Sequence, residues 1–332
     1  MARDRRRVAG PDLRQEVPGL GPRDGGARGR WRARPERGVR VVPGTHGRLA
    51  RAISVFAKMP WLTKFCTLWL ILLILVAALA DLIPGLPDPD YQGFIFGDGK
   101  TNEGPTASHW LGTDNVSRDI LSRLIYGARV SLTYAFSGVF FGIVIGGLLG
   151  SIAGFFRGFV ETSVMAVTDV ILSFPALVGL LFVTTMLGAR GLLVLCAITV
   201  FFIWPPFTRV ARATALSVSG KDFVTAARAI GTSRRKILFR EVLPNVFPTL
   251  LAYGLVLVAV LIILESTLSF IGVGVEIPQA SWGGMVNQAR QDLLINVWPA
   301  IFPAATLLIT VFSFNNLADW LRKQAAVRSA AI

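Results

Sequence analysis

An all-α membrane protein with six transmembrane helices is the fold class this sequence predicts, on three observations. Of its 332 residues 53% are hydrophobic and only 16% are charged, against about a quarter charged in soluble domains. Six apolar stretches approach or exceed the roughly 20 residues that a hydrocarbon core requires; they lie near 62–83, 131–156, 162–187, 190–208, 246–271 and 297–318. Basic residues concentrate in alternate connections, which orients the bundle.

The first 58 residues carry fifteen Lys/Arg against five Asp/Glu, so most of the +14 net charge sits there and the basic balance describes a tail. Rich in Arg, Gly and Pro and without apolar periodicity, residues 1–58 are expected to be disordered. Two readings stay open: a basic arm that touches anionic lipid or RNA, or an extension ahead of a true start at Met59. No short apolar core with a small-residue cleavage site marks a signal peptide. Nucleic-acid binding is not expected of the body, residues 59–325.

After the first span, residues 84–108 hold Asp88, Asp90, Asp98 and Glu103 against Lys100 alone, which marks an outer loop. Ile120, Leu121, Leu124 and Ile125 then share one helical face, predicting an interfacial amphipathic helix that leads into the second span, with Thr113 and Asp114 capping a turn before it. In the second span Gly138, Gly142, Gly146, Gly150 and Gly154 recur at every fourth residue. Such a strip of minimal side chain lets another helix approach closely. A tight turn over 187–191 separates spans three and four, and Pro205-Pro206 is expected to kink or end the fourth. The connection from Arg209 to Glu241 carries eight Lys/Arg against Asp222 and Glu241. The positive-inside rule puts it and both termini in the cytoplasm.

The chemistry is bounded by what is missing. Cys66 and Cys196 lie inside apolar segments and read as buried small hydrophobes. With His46 in the tail and His109 alone in a loop, no metal site can be assembled and no cofactor is expected. Gly220-Lys221-Asp222 lacks the upstream glycine and the hydroxyl of a phosphate-binding loop, and no catalytic constellation is present, so an enzyme is not expected. Asp169 and Glu265 are the clearest ionisable residues at membrane depth, with Asp319 at the inner end of span six. Asp169 and Glu265 are candidates for a pathway or gate, or for residues that pair with an arginine and hold the bundle together. The basic segment itself keeps a spacing that charge alone does not explain. Ala226-Ala227 and Gly231 make it thin, Arg234 and Arg235 give it a basic rim, and Leu243-Pro244 is expected to end it before span five. It reads as a surface offered to another protein.

That spacing resembles the inner-membrane permease subunits of ATP-binding-cassette importers, whose signature is Glu-Ala-Ala, three residues, Gly, nine residues, an apolar-rich pair and Leu-Pro. Here Thr225 stands at the glutamate position and Glu241 at an apolar one. Residues 109–132 are similar to a segment typical of the dipeptide/oligopeptide/nickel branch, with Ser117 in place of its glycine, as are Glu265–Gly274 and Ser281-Trp282-Gly283. The resemblance covers about residues 60–325 and is nearest to the C-type permease. It implies a type I importer permease fold and a coupling segment over 209–245 that docks on an ATPase through Thr225, Ala226, Ala227, Gly231, Arg234, Arg235, Leu243 and Pro244. It implies as partners a B-type permease, two ATPase subunits and an extracytoplasmic binding protein, with alternating access as the work. The implied cargo is a peptide, with nickel or another small solute as the alternative. A stand-alone secondary transporter is disfavoured by the lack of inverted repeats.

Overall fold

The computed structural model describes residues 56–330 apart from 58, 98, 189 and 190, with side chains to residue 324. The tail over residues 1–55 and 58 lies outside the described residues. Five helices among the described residues are long and apolar enough to cross a bilayer, and a bent pair makes the sixth span. They are α1 (Trp61–Ala78), α2 (Ile120–Phe156), the pair α3 (Gly158–Leu172) and α4 (Ala176–Leu187), α5 (Leu192–Ser219), α7 (Arg234–Ile271) and α9 (Trp298–Gln324, helical on to Ala330). Two eight-residue helices lie between spans, α6 (Asp222–Ala229) and α8 (Trp282–Ala289).

The expected amphipathic helix and the second span are one element. Asp114 caps the turn before α2 by accepting from the Val116 and Arg118 amides at 3.0 and 2.9 Å, and Asp119 caps α2 itself by accepting from the Ser122 amide at 2.7 Å. The helix then runs on through 37 residues, roughly 55 Å, so part of it projects beyond a core of about 30 Å. A π turn interrupts it at Gly142–Gly146. Residues spaced by four drift about 40° per step around a regular helix, and the wider π turn absorbs much of that drift. The glycines beyond it therefore stay on one contact. Gly142 faces the Phe207 ring, Gly146 the Trp204 carbonyl, Gly150 the Thr208 carbonyl and Ala211, and Gly154 the Arg212 carbonyl, all on α5. Gly138, on the near side of the turn, faces Leu261 of α7.

Three sequence expectations are corrected. Span three is not continuous over 162–187, because it bends by 75° between α3 and α4. Pro175 has no amide to donate and disfavours helical geometry at Phe174. Pro205-Pro206 does not end span four, since α5 continues through them to Ser219. The α2 glycines hold this stretch closely from the side, and packing against neighbouring helices is one way membrane helices accommodate proline. Leu243-Pro244 does not end the basic segment either. α7 begins at Arg234, passes a π turn at Leu238–Val242 and carries Pro244 inside it. The Asn245 side chain donates to the Glu241 carbonyl at 2.6 Å beside the proline that donates nothing.

The core lies where α2, α5 and α7 meet. Tyr134, Phe207 and Ile262 are fully buried there, and the Tyr134 and Thr199 hydroxyls share a hydrogen bond of 2.6 Å. α1 joins through Thr63 to Asn316 and Trp69 to Thr310 on α9. Its other face exposes Phe65, Leu68 and Leu72, as a lipid-facing helix does.

Candidate functional site

At the basic end of the bundle, residues predicted as a loop form a helix, a turn and a second helix. α6 ends on Gly231, whose φ of +78° is the left-handed conformation that glycine adopts without penalty. The Gly231 amide donates to Arg228 and the Thr232 amide to Ala227, at 3.0 and 3.1 Å, the paired bonds of a Schellman cap. Gly231 is thus required by the chain's own turn, and a Cβ placed on it would meet nothing within 4 Å. Ala227 is half-buried and packs inward, whereas Thr225 and Ala226 are exposed and Ile230 is 81% exposed. Val224, Ile237, Leu238 and Val242 anchor the turn in the core, and the Arg228 guanidinium lies 5.6 Å from the Phe155 ring centroid. Arg234, Arg235 and Pro244 are exposed, and Leu243 is half-buried.

Two ion pairs tie α3 to α5. Arg209 donates to Asp169 at 2.6 Å and Arg212 to Glu161 through Nε at 2.6 Å. Asp169 lies eleven residues into α3 from Gly158, roughly 16 Å along the axis. Its side chain is 57% exposed and that of Arg209 54%. A charge facing lipid near the bilayer centre costs about 2.5–3.5 kcal/mol or more. This pair therefore belongs against water or protein. Arg209 was visible in the sequence only as one basic residue of a supposed loop. The signal that could have found it is its place one helical turn before Arg212, in register with the two α3 carboxylates.

Glu265 has a different environment. It is fully buried and accepts from Ser131 on α2 at 2.8 Å and from Ser269, one turn along α7, at 2.7 Å. No cation is paired with it among the described ion pairs. Ser281 and Trp282, at the start of α8, lie beside this cage. The Trp282 indole donates to the Leu124 carbonyl at 3.0 Å, and Gly127 and Gly283 leave the room that brings α2, α7 and α8 together.

The same end gathers the charged residues of the 109–132 segment. Arg118 donates to Asp114 at 2.7 Å and to Gln288 at 2.6 Å, and His109 pairs with Asp119 at 2.9 Å. Arg123, 1% exposed, donates to the carbonyls of Pro89 and Pro278 at 3.0 and 3.3 Å and to Asp90 at 3.4 Å. One guanidinium thus joins both long connections to α2. No local pattern marks Arg123 for this task, because these partners lie 33 to 155 residues away. Nearby, Arg129 and Tyr126 bond to Asp81 at 3.0 and 2.9 Å, and the guanidinium holds that carboxyl below its usual range. Ser117 takes a φ of +64°, and its buried hydroxyl has no partner.

Residues 142–327 match the family described as binding-protein-dependent transport system inner membrane component. The glutathione transport system permease protein GsiD of Shigella flexneri serotype 5b is 38% identical over 255 residues, 77% of this chain and 82% of the relative. Its counterpart in Escherichia coli O157:H7 is 37% identical over the same shares. Two inward-facing structures of the MetNI methionine ABC transporter align with TM-scores of 0.50 and 0.51, at 21% and 19% identity, over 61% of this chain and 97% of theirs. They share the helical permease fold.

Proposed function

The chain belongs to the binding-protein-dependent transport system inner membrane components, and on that premise we propose that it imports peptides as the C-type permease of an ATP-driven transporter. The identity to glutathione permeases over 255 residues carries the cargo class, and the stand-alone transporter is set aside. Both termini and the α6 turn face the cytoplasm, because the basic connections lie at that end. The chain performs no covalent chemistry; ATP is hydrolysed by two separate subunits. A second permease, of the B type, completes the passage, and a binding protein delivers the peptide at the opposite end.

In this reading the α6 turn is the coupling element. Its exposed residues Thr225, Ala226 and Ile230, with Arg234 and Arg235 beside them, meet the ATPase. Gly231 shapes the turn, and Leu243-Pro244 carries it without interruption into α7. A movement of the ATPase is thereby transmitted along one 38-residue helix to the opposite end. Asp169 lines the passage. Glu265, sealed among serines, acts as a strut that keeps α7 attached to α2. The Gly142–Gly154 strip serves the same end for α2 and α5.

Purification of the full chain expressed with its partner subunits tests this. The expected outcome is a complex containing two ATPase subunits that takes up a labelled dipeptide into proteoliposomes only with ATP and binding protein. A chain that assembles with no ATPase, or uptake that proceeds without ATP, would overturn it.

A further inference from the structure

The Asp169–Arg209 pair is one part of a longer feature. On α3, Thr162, Ala166, Asp169 and Ser173 follow one another at spacings of four, three and four residues, so they form a single stripe along one face. All four are exposed. The hydroxyls of Thr162 and Ser173 are turned to carbonyls of their own helix, which leaves Asp169 and its partner Arg209 as the charged groups of the stripe. Of the fifteen residues of α3 only Thr168 is buried, so the other described residues leave most of this face open. The stripe also runs directly into the 75° break at Ser173–Pro175, where the span has already lost its regular hydrogen bonding. A lipid-facing helix has no use for a polar stripe that carries a charged pair.

We infer that this stripe lines the aqueous passage and that Asp169 and Arg209 select solutes bearing both a free ammonium and a free carboxylate. The inference rests on the permease reading and adds to it a chemical criterion for the cargo. An ion pair closed at 2.6 Å is electrically neutral and admits neither a lone cation nor a lone anion without leaving one member unpaired. A zwitterion satisfies both: its ammonium takes over Asp169 and its carboxylate takes over Arg209, bidentate where the guanidinium fork allows. With two charges exchanged for two, passage leaves no charge unpaired at depth. The pair is thus a gate that a zwitterion opens by replacing each partner, and that re-forms behind it.

The test uses the assembled transporter in proteoliposomes. In a background with Cys66→Ala and Cys196→Ala, Ala166→Cys and Ser173→Cys are exposed to a membrane-impermeant thiol reagent. Both are expected to react, and saturating trialanine is expected to slow the reaction. No reaction at either position would place the stripe against lipid or the second permease and overturn the inference. Separately, uptake of trialanine is compared with that of its N-acetylated and C-amidated forms. Asp169→Asn is expected to lower trialanine uptake about tenfold relative to the N-acetylated form, and Arg209→Gln about tenfold relative to the amidated form, with ATP hydrolysis retained as the sign of an intact assembly. Unchanged ratios in both variants would also overturn it. A wild-type complex that imports no peptide would overturn the parent reading, while the thiol reaction would still decide whether the stripe meets water.

Discussion

At the basic end, Val224 and Ile237 anchor a turn whose other motif residues, Thr225, Ala226 and Ile230, stand exposed; at the opposite end Arg123, Trp282 and Glu265 are sealed inside. Both regions carry the motifs by which the chain resembles its family. In the sealed region Arg123, Trp282 and Glu265 each bond to other elements, so they hold α2, α7, α8 and two long connections in one arrangement. In the turn Gly231 and Thr232 bond locally to the Arg228 and Ala227 carbonyls, which shapes the backbone, and Thr225, Ala226 and Ile230 are left exposed. A motif whose residues are consumed internally specifies the fold, whereas one that leaves them unused is available to a partner.

Substitutions can break or sharpen this contrast. The largest effect is expected from Arg123→Ala, which leaves the Pro89 and Pro278 carbonyls without their buried donor and removes a charge beside Asp90 and Asp114. Loss of one member of such a buried network costs about 3–5 kcal/mol, read as a lower unfolding midpoint in detergent, with uptake falling in proportion to the folded protein. Gly231→Ala comes next, because a Cβ in the left-handed conformation costs about 1–2 kcal/mol. Space is not the issue there, so Gly231→Asn, which tolerates that conformation better, should recover part of the loss. Ser117→Gly should move the other way and raise stability by about 1 kcal/mol, since it releases a strained backbone and removes an unpartnered hydroxyl. A drop in midpoint would show that the Ser117 side chain is needed where it lies.

The smallest stability effect with the greatest diagnostic value is expected from Ala226→Asp. An exposed helix position should shift stability by no more than about 0.5 kcal/mol. Stimulation of ATP hydrolysis by the binding protein should nevertheless fall at least about tenfold if the residue packs on the ATPase. Full coupling in this variant would show that the exposed face of α6 is not the docked one. Gly231 cannot decide that point, because it alters the turn itself.

The membrane-spanning helical fold and the family were legible in the sequence, since hydropathy, charge alternation and motif spacing are properties of contiguous residues. The left-handed Gly231 was legible as a glycine at a fixed place, though its cause was read as thinness for a partner when it is the geometry of the turn. Proline was the least reliable signal. Pro175 breaks its span, whereas Pro205, Pro206 and Pro244 lie inside continuous helices, because what surrounds a proline decides whether the helix survives it. Only the tertiary structure could assign Arg209 to Asp169, 40 residues away, or Ser131 to Glu265, 134 residues away. Those pairings depend on how each helix is rotated against its neighbours. The rotation is set by close packing along faces such as the α2 glycine strip, which one helix cannot encode without the other.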